Sequence, residues 1–328
     1  MGMIIAARGI RSHFSAWRHV MGQFTACFLM AICWCFCRFP HANFLIATFC
    51  VLSASVLYSI PSGRKRFSLL IPMAFAAASL QFLIGICREN KILLVLLPSF
   101  FSAVIFHSLP CRGASCGMCI VGFLAFFAPC GYLPAMDRTL EILFGIPMIL
   151  AGCALFHSNA PEPDGFYDSF DLKESMILAL MLGIGIWISE TMNMVQGAWI
   201  MLTLLFIVQF AYGNGDYRKA SRDRIAAVPI GILLGGIFMG CLTYFDYRLS
   251  FLLIVPALLG FYLLYQKKSF FLFTIFFMMT ITIYADWETG DSRRFHFNEL
   301  LFWRSAATMI ATGILLLFQK SLKKGAFK

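Results

Sequence analysis

The second half of the chain contains the stretch Gly197-Ala-Trp-Ile-Met-Leu-Thr-Leu-Leu-Phe-Ile-Val-Gln-Phe-Ala-Tyr-Gly-Asn-Gly-Asp-Tyr-Arg-Lys-Ala-Ser-Arg-Asp-Arg224. It begins with an apolar run without charged residues and ends in a cluster of four basic residues. A helix satisfies its own backbone hydrogen bonds, so such a run is stable across a bilayer as an α-helix. The basic cluster is typical of the cytoplasmic side of a membrane protein.

The composition of the whole chain extends this interpretation. Of the 328 residues, 60% are hydrophobic and 13% are charged, and the mean hydropathy is +0.80. A soluble domain is about 45–50% apolar and about 25% charged. These values exclude a soluble enzyme, a disordered chain and a disulfide-stapled scaffold. They favour an all-α polytopic membrane protein.

Apolar runs bounded by charged or turn-forming residues predict about 12 transmembrane helices. In the first half they cover residues 21–38, 41–59, 67–87, 92–107, 114–132 and 140–157. In the second half they cover residues 174–190, 194–213, 225–244, 249–265, 269–285 and 299–318. Several runs contain proline, which predicts kinked or tilted helices.

The basic residues predict the orientation of these helices. Of 26 Lys and Arg, 18 fall on the side that holds both termini, 7 fall on the other side, and Arg304 lies inside the last run. Cytoplasmic loops are enriched in positive charge, so both termini are predicted to be cytoplasmic. The net charge of +10 is thereby explained by topology and by contact with anionic membrane lipids, and no nucleic-acid partner is expected.

The two halves of the chain share landmarks at nearly constant spacing. Phe44–Thr48 aligns with Trp199–Thr203, Pro72 with Pro229, and Glu141–Phe144 with Glu299–Phe302, at offsets of 155 to 158 residues. We therefore predict two parallel six-helix repeats, at residues 1–158 and 174–328, joined by a cytoplasmic linker at 159–173.

Four motifs of the second half carry a resemblance to a known family. They are the Trp-led span Gly197–Gln209, the basic segment Tyr217–Arg224, the Gly-rich span Pro229–Gly236 and the Arg-led span Arg304–Gly313. In this order they resemble the fusaric-acid-resistance-like (FUSC) superfamily, which includes the aromatic acid exporters. The first half resembles it more weakly, since Phe44 stands where the pattern prefers Trp.

The resemblance implies a multi-pass protein of the bacterial inner membrane that exports small aromatic or weak organic acids. It also implies a periplasmic membrane-fusion protein as partner. Many relatives carry a sizeable cytoplasmic domain between their membrane halves, whereas the predicted linker here is short. We expect coupling to the proton gradient and no enzymatic activity.

Three other functions remain open at this point. The basic segments also resemble those of the major facilitator superfamily, although Ser62–Arg66 lacks the Asp-Arg-x-Gly-Arg arrangement of that family. An intramembrane enzyme of lipid or envelope glycan metabolism would need charged residues on an outer loop, and Asp286–Asn298 contains several. A structural or assembly subunit is the third alternative.

Arg304 is the main candidate for substrate binding, because an ionisable group inside a span is costly and usually functional. Its guanidinium can hold a carboxylate in a bidentate manner, and the neighbouring Trp303 can cover an aromatic ring. Trp199 and Thr203 are further substrate-binding candidates, since they are the distinctive residues of the Trp-led span.

Other charged residues are candidates for coupling and gating. Glu190, Asp246 and Asp286 lie at or near the outer ends of spans, where each could carry the proton of an antiport cycle. Arg222 and Arg224 are predicted to form a cytoplasmic gate by pairing with acidic residues of the linker.

No cofactor or metal is expected. Cys116 and Cys119 form a Cys-x-x-Cys pair, but neither a second such pair nor a nearby His completes a four-ligand site. The chain contains no P-loop, nucleotide fingerprint or Ser-His-Asp set, so ATP-driven transport by this chain alone is not expected.

Overall fold

The computed structural model describes residues 64–109, 112–127, 131–155, 170–194, 197–211, 216–245, 254–265, 269–288 and 297–323, with 17, 18, 20–26, 28, 29 and 32. These residues are almost entirely helical, and no strand occurs among them. The all-α class is thereby confirmed for this part of the chain. The predicted span 41–59, Asp246 and most of the predicted linker lie outside it.

Eleven α-helices between Arg64 and Lys323 make up most of the described structure. They are α1 (Arg64–Cys87), α2 (Lys91–Ser108), α3 (Arg112–Phe123), α4 (Tyr132–Phe144), α5 (Ile146–Leu155), α6 (Leu172–Thr191), α7 (Ala198–Ala211), α8 (Tyr217–Phe245), α9 (Ile254–Tyr265), α10 (Phe270–Glu288) and α11 (Phe297–Lys323). A 3₁₀ turn at Leu124–Phe127 extends α3.

Four of the described helices are long and apolar enough to cross a membrane. Their apolar segments are Leu69–Cys87 in α1, Lys91–Ser108 in α2, Leu172–Thr191 in α6 and Leu300–Leu322 in α11. Shorter apolar helices cover Arg112–Phe127, Ala198–Ala211 and Phe270–Thr280. The chain is therefore a multi-pass membrane protein.

The basic segment between the predicted spans 194–213 and 225–244 is helical, so the predicted start of the second of these spans at residue 225 is wrong. Helix α8 begins at Tyr217, and the Asp216 carboxylate accepts a hydrogen bond from the Lys219 backbone N–H at 3.0 Å. An aspartate in this position stabilises the first turn of a helix, and Lys and Arg are good helix formers. The backbone of Arg64–Arg66 is likewise helical, as the start of α1.

The span predicted at residues 140–157 is also wrong in its limits. Helix α4 begins at Tyr132 and ends at Phe144, and α5 follows after the single residue Gly145. Arg138 is one of the seven basic residues counted on the outer side in the sequence, but it lies within α4 and is only 1% exposed. The Arg138 Nη2 atom lies 2.9 Å from the position that a Cβ would take on Gly85 of α1. This glycine therefore makes the room for the arginine.

The two halves meet along an antiparallel pair of helices, α2 and α6. At one end the Lys91 ammonium donates a hydrogen bond to the Glu190 backbone carbonyl at 3.5 Å. At the other end the rings of Phe106 and Phe170 are 5.3 Å apart, edge to face. Between these ends, a Cβ on Gly183 would lie 3.0 Å from the Ser99 hydroxyl, so the helices approach closely there.

Helix α7 is the central helix of the described structure. Every residue from Ala198 to Val208 is buried, and the helix packs against α3, α6, α8 and α11. Its side chains are uncharged throughout, with the polar exceptions Trp199, Thr203 and Gln209. The Gln209 amide donates to the Gly113 carbonyl of α3 at 3.4 Å. Any charged group that reaches the centre must therefore come from a neighbouring helix.

Helices α8 and α10 pack closely at two glycines spaced four residues apart. A Cβ on Gly231 would lie 2.6 Å from the Ile275 carbonyl oxygen and 2.7 Å from the Met278 Cβ. A Cβ on Gly235 would lie 2.9 Å from the Cβ of Thr282. Small residues at this spacing let two membrane helices approach closely. The Gly-rich motif of the sequence thus has a packing role.

We expect Gly231→Ala to destabilise the protein, because the added methyl group meets backbone that cannot move without shifting α10. Overpacking of this kind costs about 1–3 kcal/mol. Gly313→Ala is the matched control, since nothing lies within 4 Å of the added atom. The thermal unfolding midpoint of the detergent-purified protein measures both changes. Equal midpoints for the two variants would contradict the close approach of α8 and α10.

Candidate functional site

Arg304 lies inside the protein, on the face of α11 that packs against α7. Its side chain is buried, at 3% exposure. The guanidinium carbon lies 4.6 Å from the centre of the Trp199 ring, and Nη1 donates to the Thr282 hydroxyl of α10 at 3.5 Å. The attraction between a desolvated cation and the face of an indole ring contributes about 2 kcal/mol. We call Arg304, Trp199 and Thr282 the Arg304 site.

Two polar groups of α7 accompany Arg304. Thr203 follows Trp199 by four residues, so both side chains project from the same face of the helix. Both are buried, and neither the Trp199 Nε1 nor the Thr203 Oγ1 atom has a hydrogen-bond partner among the described residues. A buried donor that stays unsatisfied costs about 1–3 kcal/mol. The Arg304 site therefore presents a cation beside donors that suit an anionic oxygen.

The remaining substrate and proton candidates are placed less centrally. Trp303 is half-buried, and its ring meets Phe302 edge to face at 5.3 Å. The aromatic face against Arg304 is therefore supplied by Trp199. Glu190 is half-buried at the end of α6, where its backbone carbonyl accepts from Lys91. The Asp286 side chain lies outside the described atoms.

Arg222 and Arg224, the predicted gate, have different environments. Arg222 is exposed, whereas Arg224 is fully buried at 0% exposure. The Arg224 guanidinium carbon lies 4.9 Å from the centre of the Phe206 ring, and Nη1 donates to the Thr274 hydroxyl at 3.3 Å. Neither arginine forms an ion pair with an acidic side chain of the described residues. Residues 159–169 of the predicted linker lie outside the described residues, so the gate stays a prediction.

The ion pair at this end of the molecule joins Arg112 and Glu174. Their Nη2 and Oε2 atoms are 2.8 Å apart, and both side chains are buried. Glu174 also forms a reciprocal capping box with Asp171 at the start of α6. The Arg112 guanidinium lies 4.6 Å over the Phe170 ring. The sequence analysis did not predict this ion pair. The Asp-x-x-Glu pattern before an apolar run does indicate the helix cap to which Glu174 belongs.

A second buried carboxyl group was also missed. Glu141 of α4 is 1% exposed, and neither of its carboxyl oxygens has a hydrogen-bond partner among the described residues. It lies one turn beyond the buried Arg138 on the same helix. The sequence marked Glu141 only as a repeat landmark, since its position near a helix break at Gly145 gave no indication of burial.

Cys116 and Cys119 are both buried in α3 and are not joined by a disulfide. All residues of this helix are buried. Their burial agrees with their apolar surroundings, in which a thiol packs as a small hydrophobic group.

These features define a multi-pass membrane protein with arginines buried against aromatic rings in its interior. Residues 184–318 match the family model described as fusaric acid resistance protein-like, which confirms the resemblance found in the sequence. The matched residues lie in the second half of the chain and make up 135 of its 328 residues, and the family's description suggests membrane transport or resistance. No curated protein matches the chain, and no solved structure matches it.

We expect Glu174→Gln to destabilise the protein, because it leaves the Arg112 cation buried without its partner. Removing one member of a buried ion pair costs about 3–5 kcal/mol. Glutamine can still serve in a capping box, so the substitution isolates the ion pair from the helix cap. Lys173→Gln, at an exposed position one residue earlier, is the control. Unfolding by SDS titration measures the difference, and equal stabilities would contradict a structural role of the pair.

Proposed function

We propose that the protein exports small aromatic or weak organic acids across the bacterial inner membrane. The observation that carries this proposal is the Arg304 guanidinium on the Trp199 face, beside the unpartnered Trp199 and Thr203 donors. The family description supports transport of an acid, since it names resistance to one. Substrate binding is the function that this combination of groups serves best.

In the proposed complex, the carboxylate and the aromatic part of the substrate make different kinds of contact with the protein. Its carboxylate binds the Arg304 guanidinium, in a charge-assisted hydrogen bond that is stronger than a neutral one. Its aromatic part packs against the rings near Trp199, among them Phe127, whose centre is 5.7 Å from that of the Trp199 ring. Phe127 is exposed at 43%, so this edge of the site faces outward from the helix bundle.

The architecture that we propose has two parallel six-helix repeats with both termini in the cytoplasm. The packing pattern supports it, since α1 packs on α3 and α4 as α8 packs on α10 and α11. The prolines that align in sequence, Pro72 and Pro229, lie within α1 and α8. The ring contact between Phe106 and Phe170 has a counterpart when the two repeats are exchanged, since the ring centres of Trp17 and Tyr262 are 4.9 Å apart.

Proton coupling and gating complete the proposed cycle. Glu190, Asp246 and Asp286 are the proton carriers proposed from the sequence, and the buried Glu141 joins them. A carboxyl group that is buried without a partner favours its neutral, protonated form. For the gate, Arg222 and Arg224 stay the residues proposed from the sequence, in pairs with acidic residues of the linker. A periplasmic membrane-fusion protein is the proposed partner.

Replacing Arg304 tests the carboxylate contact. We expect Arg304→Met to weaken export of aromatic acids about 10- to 100-fold, because one charge-assisted hydrogen bond contributes about 1.5–3 kcal/mol. Arg304→Lys retains the charge but loses the planar fork, so it should restore export only in part. Accumulation of benzoate and related acids in cells with and without the protein measures export. If the protein changes the accumulation of none of these acids, the proposed function is refuted.

Replacing Trp199 tests the aromatic face. Trp199→Leu removes the ring over which Arg304 lies, and we expect about a tenfold loss of benzoate export from the lost cation–π contact. Trp187→Leu is the control, since Trp187 is 59% exposed on α6. Equal export by the two variants, at equal amounts of folded protein, would remove Trp199 from the site.

A further inference from the structure

Arg224 is held by the same two kinds of group as Arg304. In each case the guanidinium lies over an aromatic ring of α7 and donates to a threonine hydroxyl of α10. For Arg224 the ring belongs to Phe206 and the hydroxyl to Thr274. We call these three residues the Arg224 site.

The two sites follow one another along a single helix face. Phe206 lies seven residues after Trp199 on α7, and Thr282 lies eight residues after Thr274 on α10. At 1.5 Å per residue, the sites are about 10–12 Å apart along these helices. Thr203, with its unpartnered hydroxyl, lies on the same face of α7 between the two rings.

Arg224 has unused donors in a fully buried position. Its Nε and Nη2 atoms have no hydrogen-bond partner among the described residues. Burying a cation in this way is costly unless an anion or further acceptors compensate it. The face of the Phe206 ring attracts the Arg224 cation, but it accepts no hydrogen bond from the N–H groups in the plane of the guanidinium. A carboxylate supplies both the negative charge and the missing acceptors.

The surroundings of Arg224 indicate an aromatic carboxylate. The Phe206 ring meets the Phe277 ring edge to face at 5.2 Å and lies 6.3 Å from the Phe273 ring. Phe210 stacks on Phe270 with centres 4.5 Å apart. Aromatic rings favour such offset or edge-to-face contacts with one another, and an aromatic ligand can join them in the same way.

We propose that the Arg224 site is a second binding site for an aromatic carboxylate, from which the substrate passes by Thr203 to the Arg304 site. The inference rests on the proposed function and adds an inner site to it. With the orientation predicted from the basic residues, Arg224 lies toward the cytoplasm and Arg304 toward the outside. An acid leaving the cytoplasm meets Arg224 first.

Equilibrium dialysis of the detergent-purified full chain against labelled benzoate tests the proposal. We expect two benzoate molecules per chain in the unsubstituted protein, and one each in Arg224→Met and in Arg304→Met. Arg218→Met is the matched control, because Arg218 is exposed six residues earlier on the same helix, and it should bind two. Benzamide, which has the same shape without the charge, should not compete.

The outcomes separate this inference from the proposed function. One benzoate per chain, lost in Arg304→Met and kept in Arg224→Met, overturns the Arg224 site and leaves the proposed function standing. No bound benzoate overturns both. If Arg224→Met elutes as aggregate in size-exclusion chromatography, Arg224→Lys takes its place, and we expect about tenfold weaker binding at one of two sites. Without any variant, a stoichiometry of one in the unsubstituted protein overturns the two-site proposal.

Discussion

A buried guanidinium must be compensated, and this requirement governs how the helices around α7 are arranged. Arg224 and Arg304 approach α7 from two different helices, and each lies on an aromatic face of α7. Because α7 carries no charged side chain, it can be enclosed on every side without the cost of desolvating a charge of its own. The burial of these arginines therefore depends on a central helix that carries no charge and offers aromatic faces.

The threonines that complete both sites depend on a separate constraint, the close approach of α8 and α10. Gly231 and Gly235 bring the α10 backbone close to the helix that carries Arg224. The Thr282 hydroxyl donates to the Met278 carbonyl of its own helix, which leaves its lone pairs facing Arg304. A larger residue at either glycine would move both threonines away from their arginines. Packing and site chemistry are thus coupled through small residues.

The all-α class and the membrane-spanning helices were predictable, because apolar runs are local properties of the sequence. Arg304 and Trp199 were predicted as site residues, since one is charged inside a span and the other distinctive within it. The contact between them was not, because sequence gives a position along a helix but not the neighbour that its face meets. The burial of Arg138 was not predicted for a related reason, since the room for its side chain comes from Gly85 on another helix.

The two kinds of buried arginine differ in how their charge is compensated. Arg112 finds a carboxylate within the chain, Glu174, and thereby ties the two halves together. Arg224 meets a ring and a hydroxyl, and the described residues offer it no carboxylate. A cation already paired inside the protein gains little from a ligand, whereas one held by neutral groups gains a full charge-assisted bond. This difference in pairing, rather than burial itself, separates an arginine that holds the structure from one that can bind an acid.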